Sequence, residues 1–153
     1  MGLIADSLDM LADSIVYALS LFAVGGAISR KKKVAKFSGY FQMALATLGF
    51  AEVLRRFFSN TETPLFQWMI IVSIFALVGN LISLWLINKT KSKEAHMQAS
   101  AIFTSNDIIV NGGVILAGIL VYFLNSKWPD LVIGGIVFSF VMRGALRILK
   151  LSK

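Results

Sequence analysis

Apolar residues run through this chain in five long stretches, at 3–28, 34–58, 65–87, 99–124 and 131–149, separated by short polar or basic segments. Each is close to the ~20 residues a helix needs to cross the hydrocarbon core of a bilayer. The runs are continuous and do not alternate in polarity, which argues against barrel strands, and open strand edges find no hydrogen-bond partners in lipid. The pattern therefore predicts an all-α bundle of five transmembrane helices forming one domain over 1–153. Pro64 and Pro129 fall in predicted connections, where no helix hydrogen bond is lost.

Composition agrees with that reading. Of the 153 residues 57% are hydrophobic, and the mean hydropathy is +0.76, more than a soluble core requires. The basic residues then orient the path. Arg30, Lys31, Lys32, Lys33 and Lys36, then Lys89, Lys91 and Lys93, then Arg143, Arg147, Lys150 and Lys153 fall on one side of an alternating chain, twelve of the fifteen present. By the positive-inside rule that side, with the C-terminus, is cytoplasmic, and compactness suggests a bacterial inner membrane. Arg55, Arg56 and Lys127 remain outside, where Trp68 and Trp128 suit an aromatic belt. The net charge of +7 is thus a topology signal, and no basic soluble domain exists to carry a nucleic-acid partner. The partner is the lipid bilayer, whose anionic headgroups attract the 30–36 connection by about 1 kcal/mol per basic residue near the surface. Met1 is followed at once by an apolar helix without a basic leader or cleavage pattern, which argues against a signal peptide. The absence of cysteine excludes disulfides and thiolate metal ligands.

Four aspartates interrupt the apolar runs. A carboxylate at membrane depth is costly, so it persists mainly where it lines a cavity, pairs, or handles an ion or proton. Asp6, Asp9 and Asp13 stand at i, i+3 and i+7, one stripe of the first helix, while Phe103, Asp107 and Asn111 form a stripe of the fourth, with Thr104 and Asn106 adjacent. At 1.5 Å per residue Asp13 lies roughly 18 Å from the cytoplasmic end of its helix and Asp107 roughly 12 Å from the start of its own. If the two helices are neighbours, Asp9, Asp13 and Asp107 can converge on one cation.

Plainer roles stand beside this one. Asp6 also reads as an N-cap near the outer interface, and Asp9, Asp13 and Asp107 as members of an interhelical hydrogen-bond network. Asn111 reads as interhelical glue as well as a candidate donor, and Asn80 and Gln42 read as interhelical glue. His96, eleven residues and roughly 16 Å before Asp107, belongs to the cytoplasmic boundary. Glu52 with Arg55 and Arg56 reads as an ion pair. Gly25-Gly26, Gly112-Gly113 and Gly134-Gly135 read as close-packing points, or as pivots for a rocking motion.

The segment Ala5-Asp6-Ser7-Leu8-Asp9-Met10-Leu11-Ala12-Asp13, with its D-x-x-x-D pair, resembles the second transmembrane helix of the cation diffusion facilitator (cation efflux) family. Ser105-Asn106-Asp107-Ile108-Ile109-Val110-Asn111-Gly112-Gly113-Val114 is similar to the family's fifth helix. Gly39-Tyr40 and Trp128-Pro129-Asp130 resemble its third and sixth, so the five spans correspond to helices two to six. The resemblance implies a divalent-cation/proton antiporter, homodimeric through membrane helices, with four ligands drawn from the second and fifth helices. Asp9, Asp13 and Asp107 match three of them. The fourth position is usually histidine or aspartate and here is Phe103, for which Asn106, Asn111, Thr104 or water is left to supply an oxygen.

That departure leaves an oxygen shell, which suits Mg²⁺ or Mn²⁺ better than Zn²⁺, with Fe²⁺ and Co²⁺ also open as transported ions. The family's first helix, its cytoplasmic metal-sensing domain and its acidic or histidine-containing loop after the second helix have no counterpart in this sequence. The expected function is therefore cation/proton efflux by alternating access at a mid-membrane carboxylate site, without covalent catalysis. The competing expectation, favoured by Phe103, is a non-transporting membrane-interaction or assembly protein derived from the transporter core.

Overall fold

The computed structural model describes residues 14–58 and 66–153. Asp6, Asp9 and Asp13 lie outside them. The described chain is helical throughout: α1 (Ser14–Ala23), α2 (Ile28–Phe58), α3 (Phe66–Lys89), α4 (Ala95–Leu124) and α5 (Trp128–Leu151). Among the described residues three stretches, Ile70–Lys89, Ala95–Leu124 and Trp128–Leu151, are long and apolar enough to cross a membrane. The protein is an all-α integral membrane protein. At 31 residues α2 is also long enough, but Lys31 to Lys33, Lys36, Gln42 and Glu52 dilute its apolar character.

Two boundaries differ from the sequence expectation. The first apolar run was expected to continue to residue 28, yet α1 stops at Ala23. Gly25 takes a positive φ of 73°, a left-handed conformation that glycine adopts without steric cost and that ends a helix. Here Gly25-Gly26 makes a turn and no close contact between helices. The basic segment 30–36, expected as a connection, forms the opening turns of α2, whose ladder starts from Ala27: the amides of Arg30 and Lys31 both donate to its carbonyl, at 2.9 and 3.2 Å. Lysine and arginine are good helix formers. The charge run therefore extends the helix beyond the apolar part.

The α4 helix occupies the middle of the bundle. It packs on α2, α3 and α5 and is hydrogen-bonded to α1, while α2 also packs on α5. Glycines permit the close approaches. A β-carbon at Gly113 of α4 would meet Val137 of α5 at 2.5 Å, and one at Gly134 of α5 would meet Val53 of α2 at 2.9 Å. Gly112 has open space beside it, so one member of that pair packs and the other does not. Of the four helices α2–α5, α3 touches α4 alone. Its exposed Ile71, Ile74, Phe75, Val78, Ile82, Trp85 and Leu86 suit a face toward acyl chains.

The apolar core is small and lies toward the end of the bundle that holds the basic residues. Val16 of α1, Ala35 of α2, Ala99 and Phe103 of α4 and Ile148 of α5 form one fully buried cluster, flanked by Phe41, Leu45, Ala95 and Ile102. Four helices meet there.

Candidate cation site

Asp107 is buried within the bundle, 4% exposed, and is the sole carboxylate among the buried residues described. It belongs to a polar stripe of α4 made by Ser100, Thr104, Asp107 and Asn111, all buried and spaced i, i+4, i+7 and i+11 so that they share one side of the helix.

The α1 helix closes over this stripe. The Tyr17 hydroxyl is hydrogen-bonded to Thr104 Oγ1, and Ser20 Oγ to Ser100 Oγ at 2.6 Å. Residue number rises along α1 while it falls along α4, so the two run antiparallel. Tyr17, Ser20 and Ser100 were not singled out in the sequence. The signal was present, because Tyr17 and Ser20 stand four and seven residues after Asp13 and continue its stripe, but hydroxyls in an apolar run are common enough to pass as background.

The other candidate donors take distinct positions. Thr104 also donates to the Ser100 carbonyl at 2.9 Å, so its hydroxyl is engaged on both sides. Asn106 points away from α1: its Nδ2 donates to Gln42 Oε1 of α2 at 2.8 Å. Asn111 is buried one turn beyond Asp107. Phe103, one turn before Asp107, has its ring in the apolar cluster with Val16, Ala35, Ala99 and Ile148 and brings no donor. The packing thus gives a reason for the phenylalanine, since it fills the space where four helices meet.

His96 opens α4 and is fully buried. Its Nε2 lies 3.7 Å from Glu94 Oε2, and among the described residues neither ring nitrogen has a hydrogen-bond partner. It stays at the end of the helix, as its spacing requires, and does not approach Asp107 as a ligand. Glu94 also pairs with Lys31, and the Lys31 ammonium holds its carboxyl below the usual carboxylate range. The expected ion pair at the far end of α2 is present: Arg55 Nε and Nη2 each donate to Glu52 at 2.7 Å, and Arg56 Nε does so at 3.3 Å.

Among the described residues no three His, Cys, Asp or Glu side chains come together in a group that could hold a metal ion. The buried polar side chains that share a side of α4 with Asp107 are Ser100, Thr104 and Asn111, which offer oxygen donors and no imidazole.

A carboxylate buried on a polar stripe at mid-helix of a membrane bundle is by default a candidate for handling an ion or proton. The chain matches the cation efflux transmembrane domain over residues 1–152, and it belongs to the cation diffusion facilitator (cation efflux) family. Among curated proteins it is similar to the zinc transporter ZitB of Yersinia pseudotuberculosis, with 28% identity over 171 residues that cover 99% of this chain and 53% of the relative. It is also similar to the metal cation efflux system protein CzcD of Cupriavidus metallidurans, at 23% identity, 99% of this chain and 52% of the relative. The cadmium, cobalt and zinc/H(+)-K(+) antiporter of Bacillus subtilis is 28% identical, over 98% of this chain and 52% of the relative. The chain spans about half the length of the curated relatives it matches. These relatives are named as transporters, and the family is one of transport and not of enzymatic catalysis.

Proposed function

We propose that this chain is the membrane core of a divalent-cation/proton antiporter that exports its ion by alternating access, with Asp9, Asp13 and Asp107 as the ligands. The observation that carries the reading is the burial of Asp107 on the seam between α4 and α1, the helix whose sequence continues back to Asp13 and Asp9. Four residues before Tyr17 is Asp13, and three residues after its partner Thr104 is Asp107. The antiparallel order of that seam supports the pairing of these carboxylates. Asp6 is assigned to capping or support, and Asn111, Thr104 and Asn106 to supporting positions around the ion.

The chemistry follows from crowding. Carboxylates gathered in a low-dielectric cavity cannot all remain ionised unless a cation compensates them, so protons take its place when the ion leaves. A divalent ion arriving from the basic, cytoplasmic side would displace protons, and release outside would let them return. The relatives' names include zinc, cadmium and cobalt, which supports a divalent transition-metal ion as cargo. Phe103 in place of an imidazole, with oxygen donors along the α4 stripe, favours a wider range that includes Mn²⁺ and Fe²⁺. Assembly as a homodimer through membrane helices and residence in a bacterial plasma membrane, with the C-terminus inside, belong to the same proposal.

One observation favours the competing role as a non-transporting assembly protein. Phe103 lies in an apolar cluster where the family usually has a ligand. Cation-dependent thermal stabilisation of the purified chain separates the two, because a ion held by the folded state must stabilise it. A rise in melting temperature with Zn²⁺, Co²⁺ or Mn²⁺ that Asp107→Asn abolishes supports the antiporter; no rise with any of them supports the assembly role.

A further inference from the structure

Gln42 is buried at 2% exposure in the part of α2 that faces α4. Its primary amide has donors and an acceptor, and burying such a group away from water is costly unless both are satisfied. Both ends are directed to α4. Nε2 donates to the Phe103 carbonyl at 3.3 Å, and Oε1 accepts from Asn106 Nδ2 at 2.8 Å.

These two attachment points bracket Asp107. In an α-helix the amide of residue 107 donates to the carbonyl of residue 103, so Gln42 supplies a second donor to the oxygen that already fixes the Asp107 backbone. Asn106 is the residue immediately before Asp107 and stands about 100° round the helix from it. On its far side Asn106 is stopped by α5: a β-carbon at Gly144 would lie 2.6 Å from Asn106 Cγ. The turn that carries Asp107 is therefore held by a side chain of α2 and by the backbone of α5, on a face distinct from the one hydrogen-bonded to α1.

We infer that Gln42 is a positioning residue for cation binding: it sets the height and rotation of the 103–107 turn, and through them where the Asp107 carboxylate meets the ion. Groups that orient a metal ligand without touching the metal change affinity by roughly 10- to 100-fold when removed. This inference rests on the reading of Asp107 as a cation ligand, and the experiment keeps the two apart.

The test is initial-rate uptake into proteoliposomes containing the full chain, with Zn²⁺, Cd²⁺, Co²⁺ and Mn²⁺ as probes, and rates normalised to folded protein. Gln42→Leu removes both contacts and is expected to raise KM about tenfold or more and to alter the order of preference among the four ions, with a smaller fall in maximal rate. Gln42→Glu discriminates positioning from packing. A protonated glutamic acid donates to the Phe103 carbonyl and accepts from Asn106, whereas the ionised form can only accept. Its KM relative to the parent at the same pH is therefore expected to be near one at low pH, where the acid is protonated, and to climb toward the Gln42→Leu value at any pH that ionises it. If Gln42→Leu does not fold, the low-pH ratio in Gln42→Glu reports the same contact.

Parent-like KM and ion order in Gln42→Leu, or a Gln42→Glu ratio that stays at the Gln42→Leu value even at low pH, overturn the inference while Asp107→Asn remains inactive. Parent-like transport in both Asp107→Asn and Gln42→Leu overturns the underlying ligand reading. A parent that neither transports nor is thermally stabilised by any of the four ions overturns both.

Discussion

The side-chain amide of Asn106 on α4 lies directly against the backbone of Gly144 on α5, leaving no room for a β-carbon at position 144. Two helices thus meet one residue away from Asp107. Gly144→Ala must push Asn106 aside or part the helices, and overpacking of this kind costs roughly 1–3 kcal/mol. Gly112→Ala, which meets nothing within 4 Å, is expected to be neutral or to stabilise by up to about 1 kcal/mol through helix propensity. Thermal unfolding of the two variants in one detergent checks the contrast.

Phe103 joins the cation question to the stability of the bundle. Phe103→Ala leaves a cavity where four helices converge and should cost about 3–5 kcal/mol. Phe103→His restores the residue type the family usually carries, at some cost in packing, and adds a nitrogen donor one turn from Asp107. The expected outcome is lower thermal stability together with a larger share of Zn²⁺ transport relative to Mn²⁺ in a competition assay.

At the end of the bundle richest in basic residues, the Lys31–Glu94 pair ties the start of α2 to the start of α4. Because Lys31 lowers the Glu94 carboxyl below its ordinary range, the contact is present at and above the ordinary carboxylate pKa. It is lost only as pH falls through the lowered value. Hydrogen-exchange protection of residues 28–33 should therefore hold from neutral pH down to mildly acid conditions and drop below them. Glu94→Gln should show the reduced protection at every pH, and added salt should weaken the parent's contact.

Topology is open to direct test because the chain has no cysteine of its own. Ser126→Cys, between α4 and α5, is expected to react with a membrane-impermeant thiol reagent applied outside cells. Lys153→Cys is expected to react only after permeabilisation. The reverse pattern would contradict the orientation taken from the basic residues.

The legible part of this protein was what hydropathy and spacing control. The spans α3, α4 and α5 follow the apolar runs closely, since twenty or more apolar residues leave few alternatives. The ends were less legible. Gly25 sits inside an apolar run, and hydropathy carries no information about a positive φ; Lys31 to Lys33 look like a loop by charge, yet they extend the α2 ladder. Asp107 was recognisable from its own cost at membrane depth. Gln42 was readable only as interhelical glue, because its partners, the Phe103 carbonyl and Asn106, lie more than sixty residues away in sequence and no local pattern links them. Phe103 stood out as a departure, but the apolar cluster that accounts for it is a property of four helices together.

The most direct measurement is proton-gradient-driven flux of Zn²⁺, Co²⁺ and Mn²⁺ in proteoliposomes holding the parent chain or Asp107→Asn, a near-isosteric change that removes the charge. Size-exclusion profiles establish that both are folded. If Asp107 binds the transported ion, the parent carries at least one of these cations and the variant falls to the background of empty vesicles. Equal flux by the parent and Asp107→Asn would contradict the account.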